Sequence, residues 1–160
     1  MTLPQISIIT PCLNGLPFLP RTVESVISRR DAVRLEYIVV DGGSSDGSID
    51  CLKTYADRID YWSSEPDSGM YDAIAKGIER SQGEIVGWLN SDDLYFPWTL
   101  PMVVGIFAQF PEIEWLSTLT YAITDRSGYP AFMGKLPGFS REAFLDGVYM
   151  TSVGSFNTRS

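Results

Sequence analysis

The chain contains no histidine in 160 residues. That absence removes Ser-His-Asp and Cys-His nucleophile chemistry, imidazole-based zinc sites and histidine acid–base catalysis. An enzyme built this way has to rely mainly on carboxylates. Cysteine is scarce: only Cys12 and Cys51 occur, 39 positions apart and without Cys-x-x-Cys spacing. A disulfide framework or thiolate metal site is not expected, and the two read as buried or half-buried thiols in a reducing compartment. Basic residues are outnumbered, 12 Lys and Arg against 20 Asp and Glu, for a net charge of −8. Nucleic-acid binding runs on basic patches and is therefore disfavoured. An anionic ligand would need local help from helix N-termini, single basic residues or a metal ion. A long hydrophobic run is also missing. The longest apolar stretch, "FPWTLPMVVGIFAQF" (96–110), is too short and too broken by proline to span a bilayer. The start, "MTLPQISIIT", has neither a basic n-region nor a long apolar h-region, so it is not a signal peptide. A cytoplasmic location is expected, free or at the inner face of a membrane.

What remains is ordinary for one well-cored domain: 44% apolar and 20% charged residues. The pattern alternates from the start. "ISIIT" (6–10) is a β-branched apolar run typical of a strand buried on both faces. After a Pro/Asn/Gly-rich loop, "RTVESVISRR" (21–30) places Val23, Val26 and Ile27 on one helical face. "LEYIVVD" (35–41) predicts a second buried strand, and a helix from Ser45 or Asp46 as N-cap runs to about Ala56. "IDYWSSE" (59–65) predicts a third strand, "MYDAIAKGIERS" (70–81) a helix closed by Gly83, and "EIVGWLN" (84–90) a fourth strand. A helix from Trp98 to Phe110, a fifth strand over 114–125 and a short helix at "SREAFLDG" (140–147) complete the expectation. Strand and helix in alternation, with apolar strands, predict an α/β fold with a mostly parallel sheet flanked by helices. No repeat, low-complexity tract or linker interrupts 1–125.

Ligands of such sheets bind outside the carboxyl ends of the strands. The polar oddities noted so far fall there: Pro11 to Asn14, Asp41 to Asp46, Glu65 to Gly69, and Asn90 to Asp93. "VVDGGSSDGS" does not have the Gly-x-Gly-x-x-Gly spacing of a dinucleotide fold, which argues against a nicotinamide oxidoreductase. Its glycines suit a tight strand-to-helix turn. Asp41, at the mouth of a buried strand, can accept two N–H bonds, an accepting capacity that suits a base edge or the hydroxyls of a ribose. Asp72 and Lys76 are four apart, which fits either a surface ion pair or two residues lining one cleft. The sharpest signal is "NSDD" (90–93), where two adjacent carboxylates follow a buried strand. A hard divalent cation takes oxygen ligands and binds protein through one or two carboxylates, keeping waters and phosphates in its shell. Asp92 and Asp93 could divide that work between sugar hydroxyls and metal.

Four segments in order, "SIITPCLNG", "EYIVVDGGSSDGS", "SEPDSGMYDAIAKGI" and "GEIVGWLNSDD", resemble family 2 inverting glycosyltransferases with the GT-A fold, the group of bacterial polysaccharide and O-antigen transferases. The resemblance covers residues 5–100. It implies that Pro11 with its neighbours Cys12 and Asn14, together with Asp41 and Gly43, holds the nucleotide of a nucleoside-diphosphate sugar. It places Asp67, Asp72 and Lys76 in the same cleft, Asp92 near the ribose, and Asp93 towards a Mn²⁺ or Mg²⁺ ion. Two departures stand out: Asn90 replaces the first acid of the commoner Asp-Ser-Asp-Asp, and Ala75 stands where relatives often carry Asn. By the same resemblance, residues 1–100 form a nucleotide-sugar-binding half and 101–160 the start of an incomplete acceptor half, as in a truncated enzyme. No general base maps onto this chain; Glu142 and Asp146, the last carboxylates, read as surface helix positions. The expectation is a chain that binds donor and metal but transfers sugar poorly to a saccharide or lipid-linked acceptor. The alternative is a non-catalytic nucleotide-sugar-binding module. The apolar "PWTLPMVVGIF" (97–107) would suit contact with further chain, a second subunit or a membrane surface.

Overall fold

In the computed structural model, which describes residues 3–117, 120–125, 130–135 and 155–158, the alternation read from the sequence becomes β1 (Ile6–Cys12), α1 (Leu19–Ile27), β2 (Leu35–Asp41), α2 (Ser48–Thr54), β3 (Tyr61–Ser64), α3 (Met70–Arg80), β4 (Ile85–Trp88) and α4 (Thr99–Gln109). Four shorter strands follow: β5 (Trp115–Ser117), β6 (Thr120–Thr124), β7 (Pro130–Lys135) and β8 (Ser155–Thr158). The main sheet has the order β3-β2-β1-β4-β8-β5. Its first four strands are parallel, and β8 runs antiparallel to β4. Strands β6 and β7 form a separate antiparallel pair. The chain divides into two compact units, Met1–Trp115 with Phe156–Ser160, and Leu116–Ser155.

The central strands are buried because both faces are covered. All seven residues of β1 are buried, with Ile6, Ile8 and Ile9 fully so. Each such side chain contributes roughly 1.5–3 kcal/mol relative to exposure. Helix α1 turns Leu19, Thr22, Val23, Val26 and Ile27 inward, the 3–4 spacing expected of one buried face. Helix α3 buries Ala73, Ile74 and Gly77. At Gly77 a Cβ atom would collide with Cγ2 of Ile9, so the glycine lets α3 lie close on β1. Gly83 is tighter still, since a Cβ there would meet both Oγ and the backbone nitrogen of Ser7.

Strand β1 continues two residues past the expected end and includes Pro11, although it lies between β2 and β4. Proline lacks the N–H that a central strand needs. The ladder to β4 ends at Ile9 opposite Trp88, and the Leu89 amide donates to the Ile9 carbonyl at 2.9 Å. Alternation then points the Pro11 nitrogen to the β4 side, beyond the end of that ladder, while Cys12 bonds to the β2 side through Gly42.

Other boundaries shift for local reasons. Helix α2 starts at Ser48 with Gly47, at φ 99°, as its cap in place of Ser45 or Asp46; one residue further out, Asp46 Oδ1 accepts the Ser48 N–H at 2.9 Å. The expected strand over 114–125 is divided into β5 and β6, and β7 was not expected at all. The expected helix at 140–147 lies outside the described residues. Among the described residues no helix is long and apolar enough to cross a membrane.

Candidate functional site

Parallel register brings the carboxyl ends of the strands level. Cys12 pairs with Asp41, and Asp41 with Ser64, so the loops after β1, β2 and β3 leave the sheet from one row. The first two loops are stitched together by side chains. Ser44 Oγ accepts the Asn14 N–H at 2.7 Å, Asn14 Oδ1 accepts the Ser45 N–H at 2.9 Å, Ser48 Oγ accepts the Gly15 N–H at 2.9 Å, and Asp46 Oδ2 accepts the Leu16 N–H at 2.9 Å. Asn14 holds a left-handed φ of 53°, which asparagine tolerates better than most residues. Gly43, at φ 88°, sits where an L side chain would be strained.

Asp41 is fully buried. Its Oδ2 accepts from the N–H groups of Gly43 (3.1 Å) and Ser44 (2.9 Å) and from Ser64 Oγ (2.7 Å), while Oδ1 accepts from Ser44 Oγ (2.5 Å). Burial pushes its pKa up, but the bonds from Ser44, Ser64 and Cys12 together outweigh burial and hold it below the usual carboxylate value. The two N–H groups that Asp41 accepts from, those of Gly43 and Ser44, belong to its own turn. Ser44 and Ser64 went unnoticed in the sequence; Ser64 becomes visible only once the β2–β3 register is known. The Cys12 thiol lies beside Asp41, and burial followed by the Asp41 charge raises it to about 11.

Across the β3–α3 loop, Asp67 Oδ1 accepts the Gly69 N–H at 2.8 Å. Asp72 accepts the Ser68 N–H at 3.0 Å, which with Lys76 lowers its pKa. Lys76 Nζ lies 3.3 Å from Asp72 and 3.8 Å from Glu65, and this hydrogen bond and charge raise its pKa. The i,i+4 pair is thus formed, and the same ammonium reaches back to the loop carrying Asp67.

The fourth loop carries the acidic turn. The Asp93 amide donates to the Asn90 carbonyl at 3.1 Å, and Asn90 Nδ2 donates to Asp93 Oδ2 at 3.2 Å. Thr22 Oγ1 donates to the Ser91 carbonyl at 2.8 Å, anchoring the turn on α1. Asp93 is half-buried; burial first and the Asp92 charge second raise its pKa, with the Asn90 bond opposing them. Asn90 Oδ1 is buried without a hydrogen-bond donor. No Lys or Arg forms an ion pair with Asp92 or Asp93 among the described residues. Two adjacent carboxylates, one of them partly desolvated and neither neutralised, fit a divalent cation. Among the described residues no group of three or more His, Cys, Asp or Glu converges into a full protein cage. The fit is to an ion that keeps phosphates and water in its shell.

The chain matches the description "Glycosyl transferase family 2" over residues 7–158. The uncharacterized glycosyltransferase Rv1514c of Mycobacterium tuberculosis is 42% identical over 92 residues, covering 58% of this chain and 35% of that protein. TuaG of Bacillus subtilis, a putative teichuronic acid biosynthesis glycosyltransferase, is 39% identical over 93 residues, covering 56% and 36%. The matched part thus spans about a third of these relatives' length. Among solved structures, S. aureus TarS in complex with UDP-GlcNAc superposes with a TM-score of 0.67 at 19% identity, over 79% of this chain and 37% of that one. The mannosyltransferase PcManGT of Pyrobaculum calidifontis, in complex with GDP-Man and Mn²⁺, gives 0.70 at 18% identity over 99% and 46%. These likenesses identify the sheet and its helices as the GT-A fold. With the sequence match running through all four edge loops, the chain belongs to glycosyl transferase family 2.

Proposed function

We propose that the chain binds a nucleoside-diphosphate sugar across the carboxyl edge of β1–β4 and serves an inverting, metal-assisted glycosyl transfer. The observation that carries this reading is the Asp92–Asp93 pair, buried in part and lacking any basic partner among the described residues. Asp93, steered by the Asn90 amide, would ligate Mn²⁺ or Mg²⁺, and Asp92 would meet the ribose. The Asn14–Leu16 and Gly42–Ser48 loops would wall the nucleotide, with Pro11, Cys12, Asp41 and Gly43 shaping its floor and Asp67, Asp72 and Lys76 its far side. A divalent ion held by Asp93 would neutralise charge developing on the leaving diphosphate. An acceptor hydroxyl would attack the anomeric carbon in line as the bond to the diphosphate breaks, inverting the configuration, with its proton going to a carboxylate general base that none of the residues named above supplies. The nucleotides named with the two structural neighbours, UDP and GDP, and the Mn²⁺ named with one of them support a donor and ion of this class. The name of TuaG, a putative teichuronic acid biosynthesis glycosyltransferase, supports a role in polysaccharide synthesis.

The test is calorimetric titration of UDP-, GDP-, dTDP- and CDP-sugars with and without Mn²⁺. Binding should require the metal and should drop by roughly tenfold or more in Asp93→Ala, the loss expected when a charge-assisted contact goes. Metal-independent binding, or an Asp93→Ala variant that binds as the parent does, would overturn the reading.

A further inference from the structure

Beyond the acidic turn, residues 94–111 carry no charge at all, in a chain whose net charge is −8. Two aromatic rings in that run face solvent, Phe96 at 41% and Trp98 at 58% exposure. They stack on each other, with centroids 5.0 Å apart and planes 4° from parallel. With one face of the indole covered by Phe96, so much exposure leaves its other face open to solvent. The backbone beneath the pair is fixed. Tyr95, which precedes it, donates its N–H to Ser25 Oγ on α1 at 3.3 Å and its hydroxyl to the Trp88 carbonyl at 3.2 Å. The Thr99 N–H donates to the Phe96 carbonyl and the Met102 N–H to the Trp98 carbonyl, both at 3.0 Å, which roots the pair at the start of α4.

We propose that Phe96 and Trp98 form a platform for a neutral pyranose, the sugar unit of the acceptor that lies behind the reacting one. The proposal rests on the glycosyl-transfer reading above and names the acceptor class, a saccharide of two or more uncharged units. A pyranose with equatorial hydroxyls presents a flat face of axial C–H groups. Those weakly positive hydrogens meet the negative face of an aromatic ring, while the hydroxyls around the rim stay in water. The absence of charge selects the ligand further. An anionic acceptor would find no Lys or Arg in 94–111 to pair with, and Asp92 and Asp93 would repel it. An anionic membrane surface is disfavoured for the same reason. Three residues separate Asp93 from Phe96, a span of at most about 11 Å. A donor held at Asp93 puts the reacting acceptor unit beside the turn, and the platform receives the unit behind it. Rings already stacked and rooted lose little freedom when a ligand arrives, so more of the contact appears as affinity.

The test compares glucose with cellotriose, whose units carry equatorial hydroxyls, by saturation-transfer NMR and tryptophan fluorescence. It uses the 160-residue chain with Mn²⁺ and whichever nucleoside diphosphate binds best. Cellotriose should bind roughly tenfold or more tightly than glucose, the scale of a stacking contact added to area burial. Its C–H protons should receive saturation. In Trp98→Ala that preference should disappear, whereas Trp98→Tyr, which keeps a flat ring, should retain most of it. Thermal melts verify that both variants are folded, and their nucleotide affinity should equal that of the parent. A parent without the preference, or a folded Trp98→Ala protein that keeps it, overturns this inference alone. So does nucleotide affinity that falls with Trp98→Ala, because the rings then stack on the base. Binding to phosphatidylcholine vesicles that Trp98→Ala abolishes, without binding of cellotriose, also overturns it and assigns the rings to a membrane. A parent that binds cellotriose but no nucleoside diphosphate overturns the proposed function, and the acceptor role of the platform with it.

Discussion

At the scale of single residues, Asp41 does a task within the fold that a sequence motif does not reveal. Asp41 knits its own turn to Ser64 on the neighbouring strand. Replacing it with alanine strands three or more donors that are mostly shielded from water. Each unsatisfied buried group costs about 1–3 kcal/mol, so Asp41→Ala should lose at least about 3 kcal/mol, read from the midpoint of a urea melt. Asp41→Asn should lose less, since it keeps one acceptor oxygen. That Asp41 matters was legible in the sequence, from a carboxylate at the end of a run such as "EYIVV". Which atoms it satisfies was not, because Ser64 is 23 residues away and becomes its neighbour only through strand register. The closeness of Asp67 to Gly42, where a Cβ atom would lie 2.8 Å from the Asp67 Oδ2, was hidden for the same reason.

At the scale of elements, apolar continuity carried the sequence reading and close backbone approach escaped it. The bounds of β2 were read correctly because five successive positions from Tyr37 to Asp41 are buried between two layers. The hairpin of β6 and β7 was not found: Pro130 and Gly134 argue against a strand locally, and cross-strand pairing overrides them. Gly77 and Gly83 looked like a helix interior and a helix end, but their contacts make them spacers between layers. A prediction follows from what each would strike. Gly77→Ala meets Cγ2 of the buried, β-branched Ile9, a side chain that can shift a little, whereas Gly83→Ala meets the backbone nitrogen of Ser7 at 2.6 Å. Helix propensity alone would favour alanine at position 77 by about 1 kcal/mol. Overpacking costs of about 1–3 kcal/mol should cancel or reverse that gain. In thermal melts, Gly83→Ala should therefore be clearly the more damaging of the two. A Gly83→Ala protein as stable as the parent would contradict the packing described for the start of β4.

For the molecule as a whole, the missing histidine shapes the response to pH. No side chain has an ordinary pKa between 5 and 8, so urea-melt stability should stay nearly level across neutrality. On the alkaline side Cys12 is raised from 9.0 to about 11. Its folded pKa lies above the unfolded one, so its contribution is complete below about 9 and is lost as pH rises towards 11. Stability should begin to fall from about pH 9, and Cys12→Ala should flatten that limb. In acid the sign is opposite for Asp41. Its folded pKa is depressed, so its contribution holds above the unfolded carboxylate value and is lost as pH falls through the folded one. Asp93, raised by burial, works against it.

The four hydrogen bonds that tie residues 14–16 to 44–48 have a further consequence at this scale. Each uses a polar side chain from one loop on a backbone group of the other, so both loops acquire their shape during folding and hold it before any ligand arrives. The conformational entropy of ordering them is then lost once, with the fold, and not again at each encounter. Preorganisation of this kind leaves more of the contact energy to appear as affinity. If the edge takes a nucleotide as proposed, its entry should not wait on slow closure of these two loops.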